Sequence, residues 1–166
     1  MTADQFWEIV DDVHIASSGD MDAKRKLLND KLSNLSTDEI QSFDDHFDGC
    51  MDTAYTWELW AAAYIIGGGC SDDAFSDFRA TLISTGRSRF ESVLATPDSL
   101  ADLNPDPDND FYEGYQYVAF TVYKGRTGKL PVRSKPHPKD PSGTAWEEKR
   151  VAAVHPKLAK KFGWTT

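Results

Sequence analysis

The stretch Tyr55-Thr-Trp-Glu-Leu-Trp-Ala-Ala-Ala-Tyr-Ile-Ile66-Gly-Gly-Gly69 decides the fold. From Trp57 to Ile66 it is apolar on every side, and Glu58 is its single charge. A helix with that pattern sits at the centre of a protein, because it has no polar face to give to water. Three glycines stop it. Its longest uncharged apolar run, Leu59 to Ile66, is far short of the roughly 20 residues of a membrane span.

The flanking segments supply amphipathic helices to surround it. Thr2 to Gln5 fits a capping box, and Phe6, Ile9, Val10 and Val13 follow with helical spacing to about Ala16. Asp20 caps a second helix whose apolar side is Leu27, Leu28, Leu32 and Leu35. Ser36-Thr-Asp-Glu39 opens a third, with Ile40, Phe43, Phe47 and Met51 inward and Asp44, Asp45, Asp48 and Asp52 outward. Ser71 caps a fifth, with Asp72 and Asp73 in a first turn that favours acids. Its stripe is Phe75, Phe78, Leu82 and Ile83. A shorter helix spans about Ser88 to Ala95, and Asn104 to Asp110 reads as a loop. Phe111 to Lys124 reads as a further helix. Four prolines between Leu130 and Gly143 predict an extended strap, followed by short helical pieces at Trp146–Ala153 and Pro156–Phe162. No segment reads as a strand. The expectation is one all-α domain over 1–166 with about seven helices, an acidic body at 1–125 and a basic Pro-rich strap at 126–166.

A chain of 166 residues buries roughly 70% of its unfolded surface and needs no disulfide or metal to fold. Two cysteines, Cys50 and Cys70, make no disulfide framework, and the N-terminus lacks a signal-peptide pattern. A reduced, cytoplasmic protein is expected. The net charge is −9, but it is split: residues 1–114 carry −17 and residues 115–166 carry +8. The acidic body argues against nucleic-acid binding, which rests on Lys and Arg neutralising phosphates. The tail, with Trp146 and Trp164 as anchors, is expected to dock along the acidic helices.

The run from Tyr55 to Arg87, together with Phe6-Trp7-Glu8, Leu35-Ser36-x-x-Glu39-Ile40, Phe43-x-x-x-Phe47, the Tyr-rich segment 112–123 and His155-Pro-Lys-Leu158, resembles the bacterial family called domain of unknown function 4240. Thr81 stands where that pattern usually carries a larger residue, often Trp. The resemblance implies a helical bacterial domain over most of the chain and brings no activity with it.

Arg79 is the most informative polar residue. It interrupts an apolar stripe, and a buried guanidinium without a partner costs several kcal/mol. Glu58, the lone acid on the most apolar helix, is one expected partner; Asp72 and Asp73 are the others. The converse reading makes Arg79 the anion-binding residue of a pocket lined by Tyr55, Trp57, Glu58, Trp60, Asp72 and Asp73. Trp57, Trp60 and Tyr64 share one helix face, a pattern that more often marks core packing.

Other motifs are incomplete. Gly67-Gly-Gly69 has no following Lys, and Asp72 and Asp73 would repel a phosphate there. Asp106-x-Asp108-x-Asp110 begins like a calcium loop, but Phe111 replaces the required glycine. His46 and Cys50 lie one turn apart without two further zinc ligands. No catalytic set, metal site or cofactor is expected. Three functional classes remain. The first is a non-catalytic binding or interaction module with a protein partner. The second is a small-molecule or anion-binding protein, possibly an enzyme, built on Arg79. The third is nucleic-acid contact through the basic tail.

Overall fold

A computed structural model describes residues 1–164; the last two positions of the expected 126–166 segment lie outside the described residues. The chain is all-α. Among the described residues, ten α-helices run α1 Ala3–Ala16, α2 Met21–Ser33, α3 Thr37–Thr53, α4 Trp57–Gly67, α5 Asp72–Ile83, α6 Arg87–Ala95, α7 Pro107–Asp110, α8 Val118–Thr127, α9 Val151–Val154 and α10 Pro156–Lys161. Short 3-10 turns occupy Pro97–Leu103, Tyr115–Tyr117 and Glu148–Arg150.

The predicted caps set the helix starts. Thr2 and Ser36 form complete capping boxes, and Asp20, Thr56 and Ser71 each accept a backbone N–H from the first turn of their helix. α4 ends on Gly68, whose φ of 67° is the left-handed C-cap that glycine adopts without a Cβ penalty. Leu59, Ala61, Ala62, Ala63, Ile65 and Ile66 of α4 are fully buried, as a helix apolar all round requires. α5 and the C-terminal pieces α9 and α10 pack against it.

Several expectations change. The helix expected from Phe111 begins at Val118, because Gly114 (φ 112°) breaks the backbone and Tyr112 N–H bonds instead to the Thr81 hydroxyl. The expected loop at 104–110 contains the one-turn α7, capped by Asp106, with Asp110 Oδ2 accepting from Asp106 N–H. Trp146 precedes any helix rather than starting one. On α2, Lys24 is almost wholly buried and donates to Ser84 Oγ at 3.0 Å, between Met21 and Leu28 on the inward side.

The strap docks chiefly through apolar anchors and backbone hydrogen bonds. Ser142 N–H bonds to Tyr55 O, and Trp57 N–H bonds to Ser142 O, each at 2.9 Å. Trp146 Nε1 donates to Trp57 O at 2.8 Å and Trp164 Nε1 to Ile65 O at 3.0 Å. His155 Nε2 lies 2.6 Å from Glu58 O. The charge complementarity expected of the tail is narrower than its +8 implies. Among the described residues its side chains pair with body acids only at Arg133, His137 and Lys157. Arg126 bonds instead to the carbonyls of Ser33 and Leu35 at the end of α2, where the helix dipole favours a cation.

Candidate functional site

α3, α5, α8 and strap residues 131–137 enclose an open cleft of about 460 Å³. α3 contributes Asp44 and Asp48, α5 contributes Asp72, Asp73, Ser76 and Arg79, α8 contributes Phe120, and the strap contributes Arg133 and His137. A larger groove of about 640 Å³ between α2 and α8 carries exposed Asp22, Arg25 and Lys26 and no buried ionised group.

Arg79 is 3% exposed and forms no ion pair among the described residues. Its Nε donates to Phe75 O at 3.3 Å and its Nη1 to Met51 O at 2.8 Å. The guanidinium lies 4.6 Å from the Tyr55 ring centre and 4.9 Å from that of Phe75. Two carbonyls and two aromatic faces thus replace the expected carboxylate partner. Burial lowers its pKa, and Asp72 nearby acts the other way; a guanidinium remains charged at ordinary pH regardless. Nη2 has no hydrogen-bond partner among the described residues.

The Glu58–Arg79 pair does not form. Glu58 occupies the first turn of α4 with an exposed side chain, since an acid there gains from the helix dipole and from water. Trp57, Trp60 and Glu58 do not line the cleft either. Trp60 is stacked between Trp57 (5.5 Å) and Phe75 (4.9 Å), and its Nε1 donates to Cys70 O. Trp146 and Trp164 of the strap cover Tyr64. The tryptophan stripe is therefore packing between α4, α5 and the tail. Of the seven expected site residues, Asp72, Asp73 and Arg79 meet at the cleft. Tyr55 backs it, its hydroxyl 3.4 Å from Asp72 Oδ1.

The outer acids of α3 are not the solvated face that their pattern indicates. Arg133 bonds Asp48 at 2.6 Å and Asp52 at 2.9 Å, and His137 donates from Nδ1 to Asp52 at 2.6 Å while its ring lies against Tyr55. Asp44 and Asp73 face the cleft without an ion pair or side-chain hydrogen bond among the described residues. Burial, with Asp48 and Asp45 beside it, pushes Asp44 up to about 6 despite Arg133. Burial also raises Asp48, and Arg133 opposes that shift. The Asp44, Asp48 and Asp52 spacing was the sequence signal for this wall: like charges three and four residues apart are unfavourable unless something offsets them. Arg133 and His137 gave no such signal, being more than 80 residues away in sequence.

No group of three or more His, Cys, Asp or Glu side chains among the described residues is arranged to hold a metal ion. His46 instead contacts Met1 O. A family model described as protein of unknown function (DUF4240) matches residues 1–125. The chain belongs to the DUF4240 family. Three of the cleft's walls, on α3, α5 and the first part of α8, fall in the DUF4240 region, whereas Arg133 and His137 come from beyond it. No curated protein sequence and no solved structure matches the chain. No described helix is long and apolar enough to cross a membrane.

Proposed function

We propose that this DUF4240 protein is a non-catalytic binding module whose binding site is the Arg79 cleft, and that Arg79 receives an anionic group, a carboxylate or a phosphate. The observation that carries this reading is the buried guanidinium with an unused Nη2 and no ion-pair partner. A charge so placed is costly unless a counter-charge arrives, and a ligand anion supplies one. Tyr55 and Phe75 fix the plane of the guanidinium, so its open edge is preorganised.

The nucleophiles nearby support binding over catalysis. Burial pushes the Cys70 thiol up to about 12, Ser71 is occupied as a helix cap, and the Ser76 hydroxyl donates to Gln116. Two free thiols, Cys50 and Cys70, fit a reduced cytoplasmic setting, which belongs to the same proposal. Engagement of Arg126, Arg133 and Lys161 inside the molecule weakens a phosphate-binding stripe on the tail.

The test is an NMR titration of the full ¹⁵N-labelled chain with acetate, inorganic phosphate and free amino acids. At least one probe should shift the Arg79 Nε–H signal and the α5 amides, and Arg79→Gln should abolish the effect while Arg79→Lys keeps part of it. Asp30→Asn, an exposed position on α2 outside the cleft, serves as the folding control. Shifts confined to the exposed lysines of the tail would overturn the proposal.

A further inference from the structure

We infer that the cleft selects amphoteric ligands, molecules carrying both a carboxylate or phosphate and an ammonium or guanidinium group. The inference rests on the binding role proposed for Arg79 and goes on to name the ligand's second charge.

The cleft presents groups of both signs that have no counter-ion among the described residues. On one side is Arg79, 3% exposed, with its Nη2 unpartnered. On the other are Asp44 of α3 and Asp73 of α5, neither bonded to any cation among the described residues. Their neighbours are already engaged: Asp48 accepts from Arg133, and Asp72 accepts from the Tyr55 hydroxyl. The strap thus neutralises one part of the acidic wall and leaves another open. A purely anionic ligand would satisfy Arg79 but sit against two carboxylates. A purely cationic one would satisfy the carboxylates but approach a buried guanidinium. One molecule with both charges meets each with its opposite, and rejection of the single-charge alternatives gives specificity. Phe120 and Phe47 line the same cleft and offer apolar surface to the chain linking the two charges. Asp44, pushed up to about 6, carries its charge at neutral pH and loses it in mild acid, so the cationic end is held best above that range.

Matched probes test this. The full chain is titrated with 6-aminohexanoate, hexanoate and hexylamine, which share a carbon chain and differ in charged ends, and with 4-aminobutanoate and 8-aminooctanoate to cover the spacing. Binding is followed at the Arg79 Nε–H and the α5 amides. At least one ω-amino acid should bind about tenfold or more tightly than both hexanoate and hexylamine, the contribution of one charge-assisted contact. Asp44→Asn with Asp73→Asn should bring that ω-amino acid down to the affinity of hexanoate without weakening hexanoate. Hexanoate binding as tightly as every ω-amino acid would overturn the amphoteric inference and leave the anion-binding role of Arg79 standing. If none of the probes moves the Arg79 or α5 signals, while acetate and phosphate also fail to do so, both readings fall.

Discussion

Replacing Trp146 with alanine tests whether the strap is structural. The indole is half-buried and lies edge-on to Tyr64 at 5.0 Å and to Trp57 at 6.2 Å, and it donates to Trp57 O at 2.8 Å. Truncation exposes on the order of 100–150 Å² of apolar surface, about 3 kcal/mol at roughly 25 cal/mol per Å². The lost hydrogen bond adds about 1 kcal/mol, while residual structure in the unfolded chain reduces the area contribution by a similar amount. The net expectation is about 3 kcal/mol. For a chain of this size that lowers the melting temperature by about 6–12 °C in a calorimetric scan. Trp146→Phe, which keeps the edge contact and loses the donor, should fall between wild type and Trp146→Ala. Amide exchange at Trp57 and Ser142, bonded across the same junction, should accelerate in step. A melting point within about 2 °C of wild type, with those amides still protected, would refute the docking argument.

Two titratable groups give further expectations. Burial, reinforced by Arg89, holds Lys24 down to about 8, against the opposing pull of Asp110. Its folded pKa lies below the unfolded value, so its unfavourable contribution is full below about pH 8 and fades as pH rises toward the unfolded lysine range. Lys24→Met should therefore stabilise the chain at pH 7 by about 1–2 kcal/mol, the desolvation relieved less the Ser84 hydrogen bond lost, and the gain should shrink by pH 10 in urea titrations. Asp44 is the acidic counterpart. It faces Asp45 and Asp48 on its own helix, Arg133 and His137 on the strap, and Asp72, Asp73 and Arg79 across the cleft. Because its pKa is raised, the cost is full above about pH 6, fades as the pH falls, and vanishes only below the ordinary aspartate value, where both states are protonated. Asp44→Asn should gain about 1 kcal/mol at pH 7, after allowance for its partial exposure, and only a small part of that at pH 4.

The local rules of the sequence determine most of the fold. The apolar run of α4 forecasts a buried helix, and the caps at Thr2, Asp20, Ser36 and Ser71 forecast where α1, α2, α3 and α5 begin. The start of α8 was less legible because a tertiary bond, Tyr112 to Thr81, competes with helix propensity between Phe111 and Gly114. Lys24 is illegible for the opposite reason: lysine is almost never buried, and its hydrogen-bond partner Ser84 lies 60 residues away.

The candidate site is half legible in the sequence. Arg79 interrupts an apolar stripe, which marks it as buried, but the sequence offers acids as its partners. The structure instead supplies the Met51 and Phe75 carbonyls, and main-chain acceptors leave no trace in side-chain patterns. Glu58 misled for a related reason, since its position on an apolar helix says nothing about which side its carboxylate leaves. Arg133 and His137 reach Asp48 and Asp52 only because the proline-rich strap folds back over α3.

The central claim is that Arg79 is satisfied by carbonyls and aromatic faces on one edge and left open to a ligand anion on the other. A crystal structure of the full chain grown with 6-aminohexanoate tests it most directly. The account predicts Nε and Nη1 bonded to Phe75 and Met51, with a ligand carboxylate about 2.7–3.2 Å from Nη2. An Arg79 guanidinium paired with Asp72 or Glu58, with no ligand in the cleft, would contradict it.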